Sequence, residues 1–599
     1  MHNVPYVSEE DSIGKVYDSR LMRRLLRYLK PYKWSVLLAL ILLLISSGFY
    51  LVGPHLIKIA IDKYIMTKNV SGLSFIASIY LLMLVFGFSL KFLHIYIMQM
   101  IGQKVMYDIR MEIFTNVQKL SVSFFDKNPV GRIITRITTD VDALNELFAS
   151  GVVTIFGDIF TLLGIVGFLL YYNPSLALIT FSVVPILFFS AFLFKIKVRK
   201  SYRDIRVRIA RINSFLQENI TGMKIIQIFN REKKNFDKFD KLNKDHLDAY
   251  LKTIFYYAVF FPAVEIISSI AIALIVWFGG INVLKGSLTL GALVAFINYA
   301  QRFYQPIQDL TEKYNTLQDA MAASERIFKL LDTETFVPEI AKPIEVHELK
   351  GDIEFKDVWF AYNEDYVLKD ISFKVEQGES VAFVGATGAG KTTIINLLSR
   401  FYEPNKGTIL VDGINIKNIS EKNLRKNIGV VLQDVFLFSG DIEYNISLGD
   451  EDIDFEKVRS AAIEVNIENF IKRFPNGYKE DIRERGGLLS FGQRQLLAFA
   501  RALVYDPKIL VLDEATSNID TDTELLIQKA VKKLMKNRTS IIIAHRLSTI
   551  QNVDKIIVIH KGRIREMGTH QELLALKGIY YKLYLLQYKD QEKIPVYSE

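Results

Sequence analysis

The chain has 599 residues, half of them hydrophobic, and 74 basic against 65 acidic side chains give a formal charge of +9. That length exceeds one compact core, so at least two domains are expected. With no cysteine, disulfides and thiolate metal sites are excluded, and a reducing compartment fits.

Residues 1–15 lack the basic and apolar regions of a cleavable signal. In the stretch 20–33, Arg23, Arg24, Arg27 and Lys30 alternate with Leu21, Met22, Leu25, Leu26 and Leu29. This pattern predicts an amphipathic helix in a membrane interface. Six apolar stretches follow, near 34–60, 73–100, 152–172, 176–194, 257–278 and 290–304. They approach or exceed the roughly 20 residues that a bilayer crossing needs. Asn173-Pro174-Ser175 marks a tight turn between the third and fourth.

The connecting segments 101–150 and 195–252 hold 6 and 16 Lys or Arg, whereas the opposite connections carry only Lys63, Lys68 and Lys285. The positive-inside rule therefore predicts both termini in the cytoplasm. Membrane flanks account for the basic excess, and no nucleic-acid partner is expected. Both basic segments read as long helices with apolar residues at three- and four-residue spacing, so helical hairpins should project beyond the membrane. A helix continues over 311–331, and 333–350, with Pro338 and Pro343, is the expected linker. Beyond it, β-branched runs (Ile353-Glu354-Phe355, Val381-Ala382-Phe383-Val384, and those at 509–512, 540–543 and 555–559) alternate with helical segments. That alternation predicts an α/β domain with a largely parallel sheet.

Gly385-Ala386-Thr387-Gly388-Ala389-Gly390-Lys391-Thr392 is a complete Walker A motif between an apolar run and a helical segment. Its glycines let backbone N–H groups turn toward phosphate oxygens, with the helix N-terminus adding its positive end. Lys391 would reach the β- and γ-phosphates, and the Thr392 hydroxyl would bind Mg²⁺. Ile509-Leu510-Val511-Leu512-Asp513-Glu514 is a Walker B pattern. Asp513 would hold Mg²⁺, and Glu514 would polarise the attacking water.

Leu489-Ser490-Phe491-Gly492-Gln493 resembles the LSGGQ signature of ABC ATPases, and Gln433 falls where that family has its Q-loop. Ser517-Asn518-Ile519-Asp520 resembles the D-loop, Ala544-His545-Arg546 the H-loop, and Tyr362 the adenine-stacking aromatic. With six spans ahead of the ATPase, the whole chain resembles an ABC half-transporter of the multidrug or lipid exporter branch. The implied fold is an all-α six-span transmembrane domain with long cytoplasmic hairpins, followed by an α/β P-loop nucleotide-binding domain. The expected boundaries are 1–33 for the N-terminal segment, 34–332 for the membrane domain, 333–350 for the linker and 351–599 for the ATPase.

The resemblance implies ATP and Mg²⁺ as cofactors. Nucleotide contacts would come from Tyr362, Gly385, Thr387, Gly388, Ala389, Gly390, Lys391, Thr392 and Thr393. Ser490, Gly492 and Gln493 would reach ATP held by a partner chain. Gln433 would touch Mg²⁺ or the water, with Thr392 and Asp513 as the other metal ligands. Glu514, His545 and Gln433 form the implied catalytic set.

Phe124-Phe125-Asp126-Lys127-Asn128-Pro129-Val130-Gly131, and the segment from Thr221-Gly222-Met223 to Phe229-Asn230-Arg231-Glu232, resemble elements that couple the hairpins to the ATPase. Phe491, standing where the family has glycine, favours a heterodimer with a second half-transporter, a homodimer being the alternative. The expected activity is ATP-driven export or flipping of hydrophobic or amphipathic compounds across the cytoplasmic membrane. A lipid or peptide exporter, and an ATP-gated channel or regulator, stay open as alternatives. Asp158, Glu265, Lys91 and His94 are ionisable groups at membrane depth and candidates for a cationic cargo.

Overall fold

The computed structural model describes residues 18–333, 344, 346, 349–513, 521–543 and 550–587. They fall into two compact units, Met1–Lys119 with Pro129–Thr333, and Leu120–Asn128 with Glu334–Glu599.

The first unit is helical. Its α1 (Ser19–Arg27) is capped by Asp18, which accepts from the N–H of Arg20. There follow α2 (Lys33–Ile59) and α3 (Val70–Lys119), then α4 (Val122–Lys127), which belongs to the second unit. Next come α5 (Val130–Thr135), α6 (Val141–Glu146), α7 (Val152–Tyr172), α8 (Pro174–Phe181), α9 (Val184–Thr221), α10 (Met223–Ile228), α11 (Glu232–Leu284) and α12 (Leu290–Leu331). At 50, 38 and 53 residues, α3, α9 and α11 outreach a hydrocarbon core of about 30 Å, given a rise of about 1.5 Å per residue. Their polar halves therefore form the hairpins. Ser201 and Thr253 hydroxyls meet at 2.6 Å and the Phe215 and Phe239 rings stack at 6.2 Å, joining α9 to α11.

Five stretches among the described residues are long and apolar enough to cross a membrane: Lys30–Ile65, Val70–Lys119, Val130–Tyr172, Pro174–Thr221 and Glu232–Leu284. The expected sixth, α12, is a 42-residue helix outside that set. Asn298, Gln301 and Arg302 lower its hydropathy, and protein contacts replace lipid. Ala295, Phe296, Tyr299 and Ala300 are buried with Leu51, Ile165, Leu169 and Ile275. The Tyr299 hydroxyl donates to the Leu51 carbonyl at 2.6 Å, and the Arg302 guanidinium lies 4.1 Å from the Tyr50 ring centre. The fourth apolar stretch also differs from one continuous helix. It breaks between Phe181 and Val184, just ahead of Pro185, whose ring disfavours helix in the preceding turn.

The second unit holds two sheets. A six-stranded sheet has the order β10-β9-β3-β8-β7-β6, from β3 (Ser380–Val384), β6 (Ile428–Val431), β7 (Ile509–Asp513), β8 (Thr539–Ile543), β9 (Lys555–His560) and β10 (Arg563–Gly568). All its pairings are parallel except β9–β10. Residues of β3, β7 and β8 are buried throughout, as expected for parallel strands covered on both faces. The other sheet, β2-β1-β4-β5, is antiparallel, with β1 (Ile353–Ala361), β2 (Tyr366–Val375), β4 (Lys406–Val411) and β5 (Ile414–Asn415). Ile353-Glu354-Phe355 thus lies outside the parallel sheet. A short turn across Asn363-Glu364-Asp365 makes β1–β2 a hairpin, which only antiparallel strands can form. Helices α13 (Lys391–Leu398), α14 (Glu421–Lys426), α15 (Ile442–Ser447), α16 (Phe455–Glu464), α17 (Glu468–Ile471), α18 (Phe491–Val504) and α19 (Thr521–Met535) accompany the sheets.

Candidate functional site

Strand β3 ends at Val384 in the centre of the parallel sheet, and the chain turns at once into α13. The turn needs glycine where backbone space is short: a Cβ on Gly385 would sit 2.3 Å from the Ile559 carbonyl oxygen. Gly390, at φ +103°, is the N-cap of α13, and a Cβ there would lie 2.6 Å from Leu368 Cδ2. Ala386, Thr387 and Gly388 form the exposed rim, while Ala389 and Thr393 are buried beneath it.

Lys391 is only 7% exposed. Its Nζ donates to the carbonyls of Gly385 at 2.7 Å and Ala386 at 3.2 Å, so the ammonium lies inside the loop it serves. Burial holds the pKa of this amine below the ordinary lysine value, against the opposing pull of Asp513. The Thr392 hydroxyl donates to Asp513 Oδ2 at 3.4 Å, bringing the first helical turn to the end of β7. Burial raises the Asp513 pKa, with Thr392 and Lys391 opposing and Asp434 reinforcing.

Parallel register brings the remaining pieces to the same edge. Val431 pairs with Leu512 across β6–β7, and Asp513 pairs with Ile543 across β7–β8. Gln433, two residues past β6, is exposed beside this edge. Ligands of open α/β sheets gather at the carboxyl ends of the strands. Glu514, the segment Ser517-Asn518-Ile519-Asp520 and His545 lie outside the described residues.

Tyr362 follows β1 and leans on α13. Its hydroxyl donates to Thr393 Oγ1 at 3.3 Å and accepts from Asn396 Nδ2 at 3.1 Å. Phe360 and Tyr402 meet its ring edge-on at 4.8 Å and 4.9 Å.

The signature stands apart within the unit, at the start of α18. Ser490 is the N-cap and accepts from the Gln493 N–H, while Gln493 accepts in return from the Ser490 N–H at 2.8 Å. This capping box satisfies two N–H groups of the first turn. Phe491 opens the helix in right-handed geometry, so the backbone there does not call for glycine. What the phenylalanine changes is bulk: its half-buried ring lies 6.0 Å from the Arg494 guanidinium.

Two residues escaped the sequence reading. Arg501 of α18 donates to the carbonyls of Asn445 at 2.8 Å and Phe436 at 3.1 Å, tying the chain after Gln433 to the signature helix. Tyr402 donates to Asp126 of α4. No spacing pattern in the sequence marks either residue.

The profile of the ABC transporter transmembrane region matches residues 36–307, and that of the ABC transporter ATPase, described as ABC transporter, matches 368–517. An uncharacterized ABC transporter ATP-binding protein of Bacillus subtilis (strain 168), YknV, is 41% identical over 97% of this chain and 97% of its own. An ATP-dependent lipid A-core flippase of Syntrophus aciditrophicus (strain SB) is 36% identical over 96% of this chain and 95% of its own. A solved bacterial Atm1-family ABC exporter with ATP bound superimposes with a TM-score of 0.77 at 27% identity, over 95% of this chain and 99% of that one. The chain therefore belongs to the ABC transporter family, as an exporter-type half-transporter with membrane and ATPase domains fused. It binds nucleotide, hydrolyses ATP to drive export, and works as a dimer of half-transporters.

Proposed function

We propose that this chain exports or flips amphipathic compounds across the cytoplasmic membrane, with its termini and ATPase in the cytoplasm. The observation that carries the proposal is the cradle of Gly385–Thr392 at the carboxyl edge of a parallel sheet, fused to a membrane domain. Thr392 and Asp513 offer an oxygen-only donor pair 3.4 Å apart, which suits Mg²⁺. When bound, the ion neutralises charge between the β- and γ-phosphates. Around it, Lys391 holds the β- and γ-phosphates and Gly388 and Gly390 leave backbone N–H groups free to meet them. Gln433 reads the γ-phosphate, Glu514 polarises the water, and His545 orients both.

ATP favours the state in which two such domains close on it, and hydrolysis removes that preference. In the closed state Ser490, Gly492 and Gln493 face ATP on the partner. Phe491 adds its ring at that surface, which a homodimer would carry at both sites. Pairing with a half-transporter bearing an ordinary signature leaves this chain's own Walker site complete, so the heterodimer is the favoured assembly. Purified alone in nanodiscs, the chain is expected to turn over well below about 1 s⁻¹, and Phe491→Gly should raise the rate. A stable homodimer at ordinary rates, with no gain from Phe491→Gly, would refute the heterodimer.

The substrate class rests on Glu265. Of the four ionisable candidates, Asp158 is paired with Lys313, and His94 is buried with Nδ1 donating to the Ala39 carbonyl at 2.9 Å. Among the described residues Glu265 and Lys91 form no ion pair. Glu265 lies on the exposed face of α11, away from the buried Val264, Ile267 and Ala271 and beside Pro262, Ile266, Ser269, Ile270 and Ala273. A carboxylate against lipid chains is costly, which supports a cavity-facing position for this face, suited to an amphipathic cation. Glu265→Gln is expected to raise the half-saturating concentration of tetraphenylphosphonium about tenfold. Tetraphenylborate, of the same shape and opposite charge, serves as the control. Equal responses to both ions would remove the assignment.

A further inference from the structure

We infer that Tyr402 is a positioning residue linking the base end of the nucleotide site to the first cytoplasmic hairpin, through an Asp126–Tyr402–Tyr362 relay. The inference rests on the proposed stacking of adenine on Tyr362.

All three residues lie in the second unit, because Leu120–Asn128 belongs to it and not to the helical one. The Tyr402 hydroxyl donates to Asp126 Oδ2, and its ring meets that of Tyr362 edge-on at 4.9 Å. Tyr362 in turn holds Thr393 and Asn396, both on the helix that opens at the phosphate cradle. One tyrosine thus touches the hairpin with its polar end and the proposed adenine seat with its ring.

The mount for Tyr402 is rigid. Arg425 donates to the carbonyls of Ser399 at 3.2 Å and Arg400 at 3.0 Å, and its guanidinium lies 5.0 Å from the Phe401 ring. Arg400, 3% exposed, donates to the Ile419 carbonyl at 2.8 Å. With the backbone fixed and the Phe360 ring edge-on at 5.6 Å, the side chain of Tyr402 is left with little freedom beyond Asp126 and Tyr362. Burial and Asp126 both raise the Tyr402 pKa, so the phenol keeps its proton and stays a donor.

The hairpin end is the soft partner. Helix α4 has six residues, far fewer than an isolated helix needs, so its order depends on docking. Phe125 is exposed, and Asp126 is held by Tyr402. Adenine stacked on Tyr362 would restrict that ring, and through it Tyr402, which favours the orientation that holds Asp126. Occupancy of the base seat is then felt as order in α4. The test therefore reads the order of α4 itself.

The experiment is hydrogen exchange of the full chain in nanodiscs, with its partner subunit where one is required, with and without saturating ATP in EDTA. In the unmodified protein ATP is expected to slow exchange of the 122–128 amides about tenfold, a change in keeping with one hydrogen bond to a charged group. Tyr402→Phe keeps the ring and loses the hydroxyl. Its ATP affinity should stay within about twofold while the slowing disappears. Asp126→Ala should act alike, the double variant should be no worse than either single one, and Asp126→Asn should retain part of the effect. Slowing that survives Tyr402→Phe, or additive losses in the double variant, would overturn the relay. Tyr362→Ala tests the underlying seat separately: unchanged ATP affinity in that protein would remove the adenine assignment, whatever Tyr402→Phe shows.

Discussion

Glu514→Gln is expected to lower ATP hydrolysis at this chain's Walker site by at least about a hundredfold, the range typical of a lost general base. ATP affinity should stay within about threefold, because the phosphate cradle is built from other residues. In the proposed site Lys391, which donates to the Gly385 carbonyl, and the glycines of the turn would hold the phosphates, and Thr392 with Asp513, 3.4 Å apart, would provide the oxygen pair for the metal. Glutamine keeps the size of glutamate and its ability to orient a water, but loses the negative charge that draws off a proton. The measurement is single-turnover hydrolysis with Mg·ATP, in the presence of any partner subunit, alongside nucleotide affinity. Turnover unchanged by the substitution would remove Glu514 from the catalytic role.

Lys391→Ala is expected to fail at the earlier step. The ammonium is buried and donates to two carbonyls of its own loop, so its loss strands both acceptors as well as the phosphates. Loss of a hydrogen bond to a charged group costs about 1.5–3 kcal/mol, which corresponds to ATP affinity falling about tenfold to a hundredfold. The pH dependence follows from the same burial. Because the amine's pKa is lowered, its positive charge is complete only below that lowered value. As pH rises through it, the charge and its part of the ATP affinity are lost, earlier than for an exposed lysine. Bound phosphates push the other way by favouring the ammonium. Nucleotide-free protein should therefore lose charge at Lys391 at lower pH than the ATP complex, and ATP binding above that point should take up a proton. Equilibrium titration of ATP affinity from neutral to alkaline pH checks both statements, with Lys391→Ala showing no such decline. A flat profile in the unmodified protein would contradict the burial argument.

The two domains differ in what their residues alone could reveal. Apolar runs, the lysine and arginine asymmetry and the Gly-rich turn are local patterns with local physical causes. A bilayer demands length and hydropathy, and a phosphate demands glycine, a lysine and a helix start, all within a few residues. Those signals were enough for the fused membrane–ATPase architecture and the family, and they singled out Lys391, Thr392 and Asp513, of which the fold brings Thr392 and Asp513 together. The polar α12 shows the limit of that reading. Its place in the bundle depends on Tyr299 reaching Leu51 and Arg302 covering Tyr50, contacts about 250 residues apart in the chain. Likewise, the effect of Phe491 could not be judged from residue type, since only the start of α18 at that position removed any need for a left-handed backbone.

The sequence by itself determined the fused architecture and the motif residues proposed to handle phosphate and metal, because such motifs are short and contiguous. Tertiary structure alone decided which of the ionisable candidates is paired and which aromatic touches both α4 and Tyr362. Asp158 is occupied because Lys313 lies across from it, and Tyr402 matters because folding brings Asp126 to its hydroxyl and Tyr362 to its ring. Partners distant in sequence leave no periodicity or motif behind, so pairing of this kind exists only once the chain has packed.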